Sequence, residues 1–182
     1  SDLGTLDMLT IDLRNLINDL LDVSRLEQGR LKISQSEMQI NDIISKVVTT
    51  LSPQAQEKSL VINFTPQEAP VIKSDPDRVR QIITNLVSNA LKYTLKGSVA
   101  ITTEVDDKFI KVKVADTGIG IPEELLPQLF ERHVRGRGLN QAGEGIGLAI
   151  VKRLCDQFKW DIEIKNRHDK GIHVKLTKSE EK

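Results

Sequence analysis

Asp116 stands where a carboxylate is costly. Ile110, Val112 and Val114 alternate with Lys111 and Lys113, and the same parity carries Asp116 onto the apolar side at the end of that run. A buried carboxylate needs a donor, because an unpaired charge in an apolar setting is strongly disfavoured. The following Thr117-Gly118-Ile119-Gly120-Ile121-Pro122 bares the backbone beside it, so a flat ligand offering an amine can approach closely. The competing reading is a strand-to-helix turn in which Asp116 caps the next helix. A second set lies upstream. At ~100° per residue, Asn85, Asn89 and Lys92 share an arc of roughly 60° on the shoulder of a helix whose apolar face is Val79, Ile82, Ile83, Leu86, Val87 and Ala90. Tyr93 falls beside them. Phosphate oxygens or a hydrated cation would satisfy two amides and an ammonium at the rim of a buried face; a solvated helix edge is the alternative.

Gly143-Glu144-Gly145-Ile146-Gly147-Leu148 opens a helix, so its backbone N–H groups and positive helix end could cradle phosphates. Its glycine spacing is wrong for a dinucleotide fingerprint. The Walker A spacing from Gly138 to Gly143 is accidental, since Glu144 stands where that loop requires lysine. His133 and His168 fall in loops and His173 on the outward parity of a strand, and with Cys155 they form no metal-ligand spacing.

The elements that must position these residues follow from periodicity. Leu6, Leu9, Leu13, Leu16, Leu20 and Val23 make a heptad seam over 3–26, widened by Ile17 and Leu21 and ended by Gly29. Such a helix needs other helices as partners, in this fold or in another copy. After a polar connector at 30–40, Asn41 is expected to cap a helix bearing Ile43, Ile44, Val47, Val48 and Leu51. Leu60, Ile62 and Phe64 alternate as a strand. Asp75-Pro76 reads as the N-cap and first position of a helix running to about Thr94 and closed by Gly97. Strands at 99–105 and 110–114 form a hairpin; a helix is expected from Pro122 to about Phe130, a mobile loop over 131–144, and a helix from Ile146 to Phe158. Strands at 160–164 and 172–176 close the chain. The order implies an α+β fold: a two-layer sandwich of a mixed sheet with helices on one face.

The 182 residues allow one domain with a short appendage. Hydrophobic residues at 38% and charged ones at 29% place the chain among soluble globular proteins. Twenty-six basic residues balance 26 acidic ones, so no whole-molecule field favours nucleic acid or anionic lipid. The lone Cys155 fits a reducing compartment. No apolar run approaches the ~18 residues of a membrane span, and no export signal is visible, so a cytoplasmic location without direct membrane contact from this fragment is expected, with a membrane-anchored parent protein left open.

Taken in order, Asn85-x3-Asn89-x2-Lys92-Tyr93, Asp116-x-Gly118-x-Gly120, Phe130 and Gly143-x-Gly145-x-Gly147-Leu148 resemble the N, first glycine, F and second glycine boxes of sensor histidine kinases. The set is specific, though no single member is. Leu20-Leu21-Asp22-Val23-Ser24-Arg25-Leu26-Glu27-x-Gly29 resembles the end of the second helix of that family's dimerisation and phosphotransfer hairpin, which divides the chain into 1–34 and an ATP-binding catalytic domain at 35–182.

The resemblance implies ATP and Mg²⁺ as cofactors. Asp116 would receive the adenine amine, with Gly118, Gly120 and Ile121 beside it and Tyr93 packed near the ring. Asn89 would coordinate Mg²⁺, and Asn85 and Lys92 would face the phosphates as catalytic groups. Residues 123–144 would form a lid anchored by Phe130, with Arg132 or Arg135 offering a cation to the γ-phosphate, and Gly143, Gly145, Ile146, Gly147 and Leu148 would cradle the triphosphate. The partners implied are a second copy through the N-terminal helix and the receiver domain of a response regulator.

Two departures matter. The family's His-Glu-x-Arg-Thr-Pro segment is absent, so the chain reads as beginning after the phosphoacceptor, and Gly171-Ile172-His173-Val174 only loosely matches the closing glycine-threonine segment, so it is given no ligand role. Hydrolytic ATPases of the same superfamily carry a glutamate where Asn85 stands, so poor hydrolysis and transfer to a protein side chain are implied. A hydrolytic ATPase and an ATP-sensing module without transfer are the alternatives.

Overall fold

The computed structural model describes residues 2–128, 147–167 and 171–179. The chain runs α1 (Asp2–Glu27), β1 (Ser36–Met38), α2 (Ile40–Glu57), β2 (Val61–Thr65), β3 (Ile72–Ser74), α3 (Pro76–Lys92), β4 (Ser98–Val105), β5 (Phe109–Asp116), a 3-10 turn (Glu123–Gln128), α4 (Gly147–Phe158), β6 (Asp161–Asn166) and β7 (Ile172–Ser179).

Strict alternation builds the centre. In β5 every second residue is buried, as are Val99, Ile101 and Thr103 in β4, and the antiparallel register sets Val99 against Asp116, Ile101 against Val114, Thr103 against Val112 and Val105 against Ile110. One face of the hairpin is therefore buried and, Thr103 apart, apolar, with Asp116 at its rim. The sheet order is β2-β4-β5-β7-β6, parallel between β2 and β4 and antiparallel elsewhere. Helices α2, α3 and α4 cover its apolar face, where Ile44, Val47, Ile82, Ile83, Leu86, Ile150 and Leu154 meet Ile101, Val112 and Leu176. The fold is thus the expected α+β sandwich.

The α3 helix starts as its sequence dictates. Asp75 Oδ1 accepts from the N–H groups of Asp77 and Arg78 at 3.1 and 3.2 Å, with Pro76 in the first turn, while Asp75 Oδ2 accepts from Ser34 N–H at 2.8 Å. At the other end the Lys58 ammonium donates to the carbonyls of Leu91 and Lys92, a cation on a helix C-terminus. Burial lowers the Lys58 pKa from its ordinary value.

Several local expectations are corrected. Gln39, not Asn41, is the N-cap of α2; the Asn41 side chain instead donates to the Gln67 carbonyl at 2.8 Å and accepts from the Thr103 hydroxyl at 3.0 Å, tying the helix to the β2–β3 loop and to β4. The 30–40 connector contains β1, which pairs antiparallel with β3, an element absent from the sequence reading. Helix α3 ends at Lys92 with Tyr93 as its cap rather than at Thr94, whose buried hydroxyl turns back onto the Ala90 carbonyl at 2.7 Å. In place of an α-helix from Pro122 the described residues form a 3-10 turn, with Pro127, which has no N–H to donate, inside it. The expected loop at 131–144 lies outside the described residues.

Helix α1 divides in two. Val23 is fully buried and Leu16 and Leu26 pack on the same core, whereas Leu6, Leu9, Leu13, Ile17, Leu20 and Leu21 are exposed. Arg153 of α4 meets Glu27 at 3.1 Å, so the C-terminal part of α1 is seated on the helical layer.

Candidate nucleotide site

The site grows from Asp116. It is 2% exposed at the end of β5, and its Oδ1 accepts from the N–H groups of Gly118 at 2.9 Å and Ile172 at 3.3 Å. Burial pushes its carboxyl pKa up from the ordinary value, opposed by those two backbone donors and by the Arg167 charge. Both bonds use Oδ1. Asp116 caps no helix, and the residues after Ile121 turn into the 3-10 segment, which answers the competing sequence reading.

Two glycines make room around the carboxylate. A Cβ on Gly118 would overlap the Tyr93 carbonyl oxygen, and one on Gly171, at φ +87°, would overlap the Asp116 carbonyl oxygen and lie 2.7 Å from Oδ1. Both positions therefore demand glycine, the first for close approach and the second for conformation as well. The Ile119 N–H donates to the Tyr93 carbonyl at 3.2 Å, which locks the glycine loop onto the end of α3.

The other wall was not legible as a site in the sequence. Asn166 grips Ile121 from both sides, accepting from its N–H at 3.0 Å and donating to its carbonyl at 2.7 Å. Arg167 Nη1 donates to the Asp116 carbonyl at 2.9 Å, and the Arg167 N–H donates to the Gly171 carbonyl, also at 2.9 Å. The β6–β7 turn thus braces Ile121 and the end of β5. The only signal for it was a glycine opening the last strand, and its meaning depends on β7 starting beside the end of β5, where Ala115 pairs with His173.

On α3, Asn85, Asn89 and Lys92 share one flank, and Tyr93 follows as cap. The Asn89 side chain is half-buried and makes no hydrogen bond among the described residues. Asn85 buries its Nδ2 without a hydrogen-bond partner, an orphan amide in a chain whose other polar groups are largely paired. It lies beside Asp19 of α1. Gly147 is the first residue of α4 and Leu148 packs half-buried against the core. Tyr93, Asp116, Gly118, Gly120 and Ile121 are thus brought together. Phe130, Arg132, Arg135, Gly143, Gly145, Ile146 and the lid from 129 to 144 lie outside the described residues, as do His133 and His168. His173 is half-buried, and burial together with Lys113 lowers its pKa. Cys155 is buried, with its thiol pushed up to about 12 by that burial, and takes no part in the site. Among the described residues no His, Cys, Asp and Glu cluster could hold a metal ion.

A mixed sheet under three helices, with a buried carboxylate between two glycine contacts at the sheet end and an amide-bearing helix beside it, defines a nucleotide-binding ATPase domain. The chain belongs to the histidine kinase-, DNA gyrase B-, and HSP90-like ATPase family, whose profile matches residues 74–182. Its relatives are sensor kinases, which places it among the histidine kinase ATP-binding catalytic domains. It is 37% identical over 170 residues to hybrid signal transduction histidine kinase L of Dictyostelium discoideum, covering 87% of this chain and 10% of that protein. It is 32% identical over 193 residues to sensor protein GacS of Pseudomonas syringae pv. syringae, covering 98% of this chain and 21% of that one. Among solved structures, full-length ShkA in complex with AMPPNP superposes with a TM-score of 0.82 at 30% identity, covering 97% of this chain and 38% of that chain. The chain spans between a tenth and a quarter of the length of these curated relatives. No helix among the described residues is long and apolar enough to cross a membrane.

Proposed function

We propose that this chain binds Mg²⁺-ATP and presents its γ-phosphate to a histidine on the first helix of the hairpin whose second helix α1 resembles, for relay to the receiver domain of a response regulator. The observation that carries the reading is Asp116, a carboxylate kept buried with its Oδ1 fixed by Gly118 and Ile172 and its surroundings cleared of side chains by glycine. That arrangement suits a planar base with an exocyclic amine. It explains why burial is tolerated at a group that stabilises nothing in the core.

The residues fit the cofactors. The orphan Nδ2 of Asn85 is a donor in need of an oxygen, and the unbonded amide of Asn89 offers one to a cation. In this reading Asn89 would hold Mg²⁺, which would supply neutralisation of phosphate charge. Asn85 and Lys92 orient the phosphate oxygens, Tyr93 packs beside the ring, and Gly120 and Ile121 line the base end. Arg132 and Arg135 in the lid, Phe130 as its anchor, and Gly143, Gly145, Ile146, Gly147 and Leu148 at the start of α4 complete the triphosphate end. None of the α3 residues is a base placed to activate water, since position 85 carries an amide, so the chemistry left to the chain is positioning and charge neutralisation.

Residues 1–34 form the hairpin helix and linker and 35–182 the catalytic domain. The exposed leucines of α1 pair with a second copy, and the parent protein works in the cytoplasm. The test is incubation with radiolabelled ATP and Mg²⁺ in the presence of a separately supplied hairpin helix bearing the family's histidine segment. Acid-labile, base-stable label on that helix supports the proposal. Release of inorganic phosphate without such label would favour a hydrolytic ATPase, and tight binding with neither product would favour a sensing module.

A further inference from the structure

The last turn of α3 carries Asn89 and Lys92 and delivers Tyr93 as its cap, and the carbonyls that a helix leaves unpaired at its C-terminus are all taken there. The Asn89 carbonyl accepts from Tyr93 N–H at 3.1 Å and the Ala90 carbonyl from the Thr94 hydroxyl at 2.7 Å. The next two, of Leu91 and Lys92, both accept from one group, the Lys58 ammonium, which reaches them from the end of α2. The Tyr93 carbonyl then accepts from Ile119 N–H at 3.2 Å. Five consecutive carbonyls thus have donors, and two of the five depend on Lys58.

The end of α2 is shaped to aim that ammonium. Lys58 N–H closes on the Ala55 carbonyl at 3.2 Å, Ser59 turns left-handed at φ +55°, and Leu60 N–H returns to the same Ala55 carbonyl at 2.9 Å. Val61 N–H donates to the Gly97 carbonyl at 3.3 Å, so the chain leaving α2 is fastened to the loop that follows α3. The Lys58 side chain runs half-buried between the two helix ends.

The base end of the site hangs on the turn that Lys58 holds. A Cβ on Gly118 would overlap the Tyr93 carbonyl oxygen, so the glycine loop lies directly on it, and Gly118 N–H is one of the two donors that fix Asp116 Oδ1. A shift of this turn would carry Lys92 and Tyr93 with it and, through the Tyr93 carbonyl, the loop that orients Asp116. These are residues assigned above to the nucleotide, so the inference rests on that reading.

We infer that Lys58 is a positioning residue for nucleotide binding, its ammonium clamping the Leu91 and Lys92 carbonyls so that Lys92, Tyr93 and the glycine loop stand in place before the ligand arrives. It acts through backbone oxygens, and the role needs a donor at the end of a long stem. Methionine supplies the stem without the donor; arginine supplies both.

The experiment compares wild type, Lys58→Met and Lys58→Arg at a temperature where circular dichroism shows each fully folded. Without ligand, the NMR amide resonances of Tyr93, Gly118 and Ile119 should move in Lys58→Met and return in Lys58→Arg. Calorimetric titration should find Mg²⁺-AMPPNP bound about five- to tenfold more weakly by Lys58→Met and within about twofold of wild type by Lys58→Arg. A second measurement needs no variant. Acetylation of the wild-type chain by N-hydroxysuccinimidyl acetate, followed at each lysine by mass spectrometry, should slow at Lys58 with saturating Mg²⁺-AMPPNP and stay unchanged at Lys46, exposed on the same helix. Linkage requires this, since a clamp that favours the nucleotide is favoured by it in return. Unmoved Gly118 and Ile119 resonances, equal AMPPNP affinity in Lys58→Met, failure of arginine to restore it, or equal acetylation of Lys58 with and without nucleotide would each overturn the inference while leaving the nucleotide site standing. A wild-type chain that takes up no AMPPNP would overturn the nucleotide reading, and this inference with it.

Discussion

Asp116 trades stability for recognition. Burial raises its pKa from the ordinary 3.8, so the native state holds the proton more tightly than the unfolded chain does. For such a group the stabilising contribution is complete below the ordinary value and is lost as pH rises through the raised native value. Asp116→Asn, which keeps an acceptor for Gly118 and Ile172, should therefore unfold at a higher temperature than the wild type at neutral pH without nucleotide. The gap is expected to open above about pH 4 and then level off, at about 2–4 °C per kcal/mol gained. Thermal melts of both proteins from pH 3.5 to 8 check this; a gap that is constant across the range, or reversed, would mean that burial does not strain the carboxylate. The residue was legible in the sequence because strand parity is local: three alternating apolar residues fix which side the fourth position takes. Gly171 was not, since its contact with Asp116 is made across strands far apart in the chain.

The β6–β7 turn, more than the glycine loop, holds the base end in shape. The amide of Asn166 satisfies both the N–H and the carbonyl of Ile121, so Asn166→Ala frees two backbone groups at about 1 kcal/mol each. The expected outcome is faster amide exchange at 118–121 and a nucleotide affinity lower by roughly tenfold, with Asn166→Asp intermediate because it retains the acceptor and loses the donor. Exchange and affinity both unchanged in Asn166→Ala would assign the clamp no role. Long elements with a clear period were readable in advance, and α3 was so in detail, down to its Asp75 cap and Pro76 start. The short ones were not. β1 and β3 have three residues each, too few to show alternation, and they exist because each pairs with the other. Asn41 has the right chemistry for a cap, but tertiary partners at Gln67 and Thr103 claimed its side chain, and Gln39 took the position.

At the scale of the whole chain, α1 is where the molecule is least self-sufficient. One face of its last turns is buried at Asp19, Asp22 and Val23, yet Leu6, Leu9 and Leu13 are each more than half exposed on one seam, a surface no isolated helix keeps in water without a partner. The wild-type chain should associate with rising concentration, and Leu13→Glu should shift that equilibrium toward monomer by at least tenfold; sedimentation velocity over a concentration series reads it, and a concentration-independent monomer in both would assign the seam elsewhere. The heptad was plain in the sequence, but its division into a docked and an exposed half was not, because that depends on Arg78, Gln81 and Arg153 from other helices. The central claim is that an adenine nucleotide is read by Asp116 in the cleft between α3, the glycine loop and the β6–β7 turn. Calorimetric titration of Mg²⁺-AMPPNP into the wild-type chain and into Asp116→Asn tests it most directly. Loss of a charge-assisted hydrogen bond predicts a drop of roughly ten- to a hundredfold in the variant, even though that variant is the more stable fold. Equal affinity in the two proteins would contradict the account.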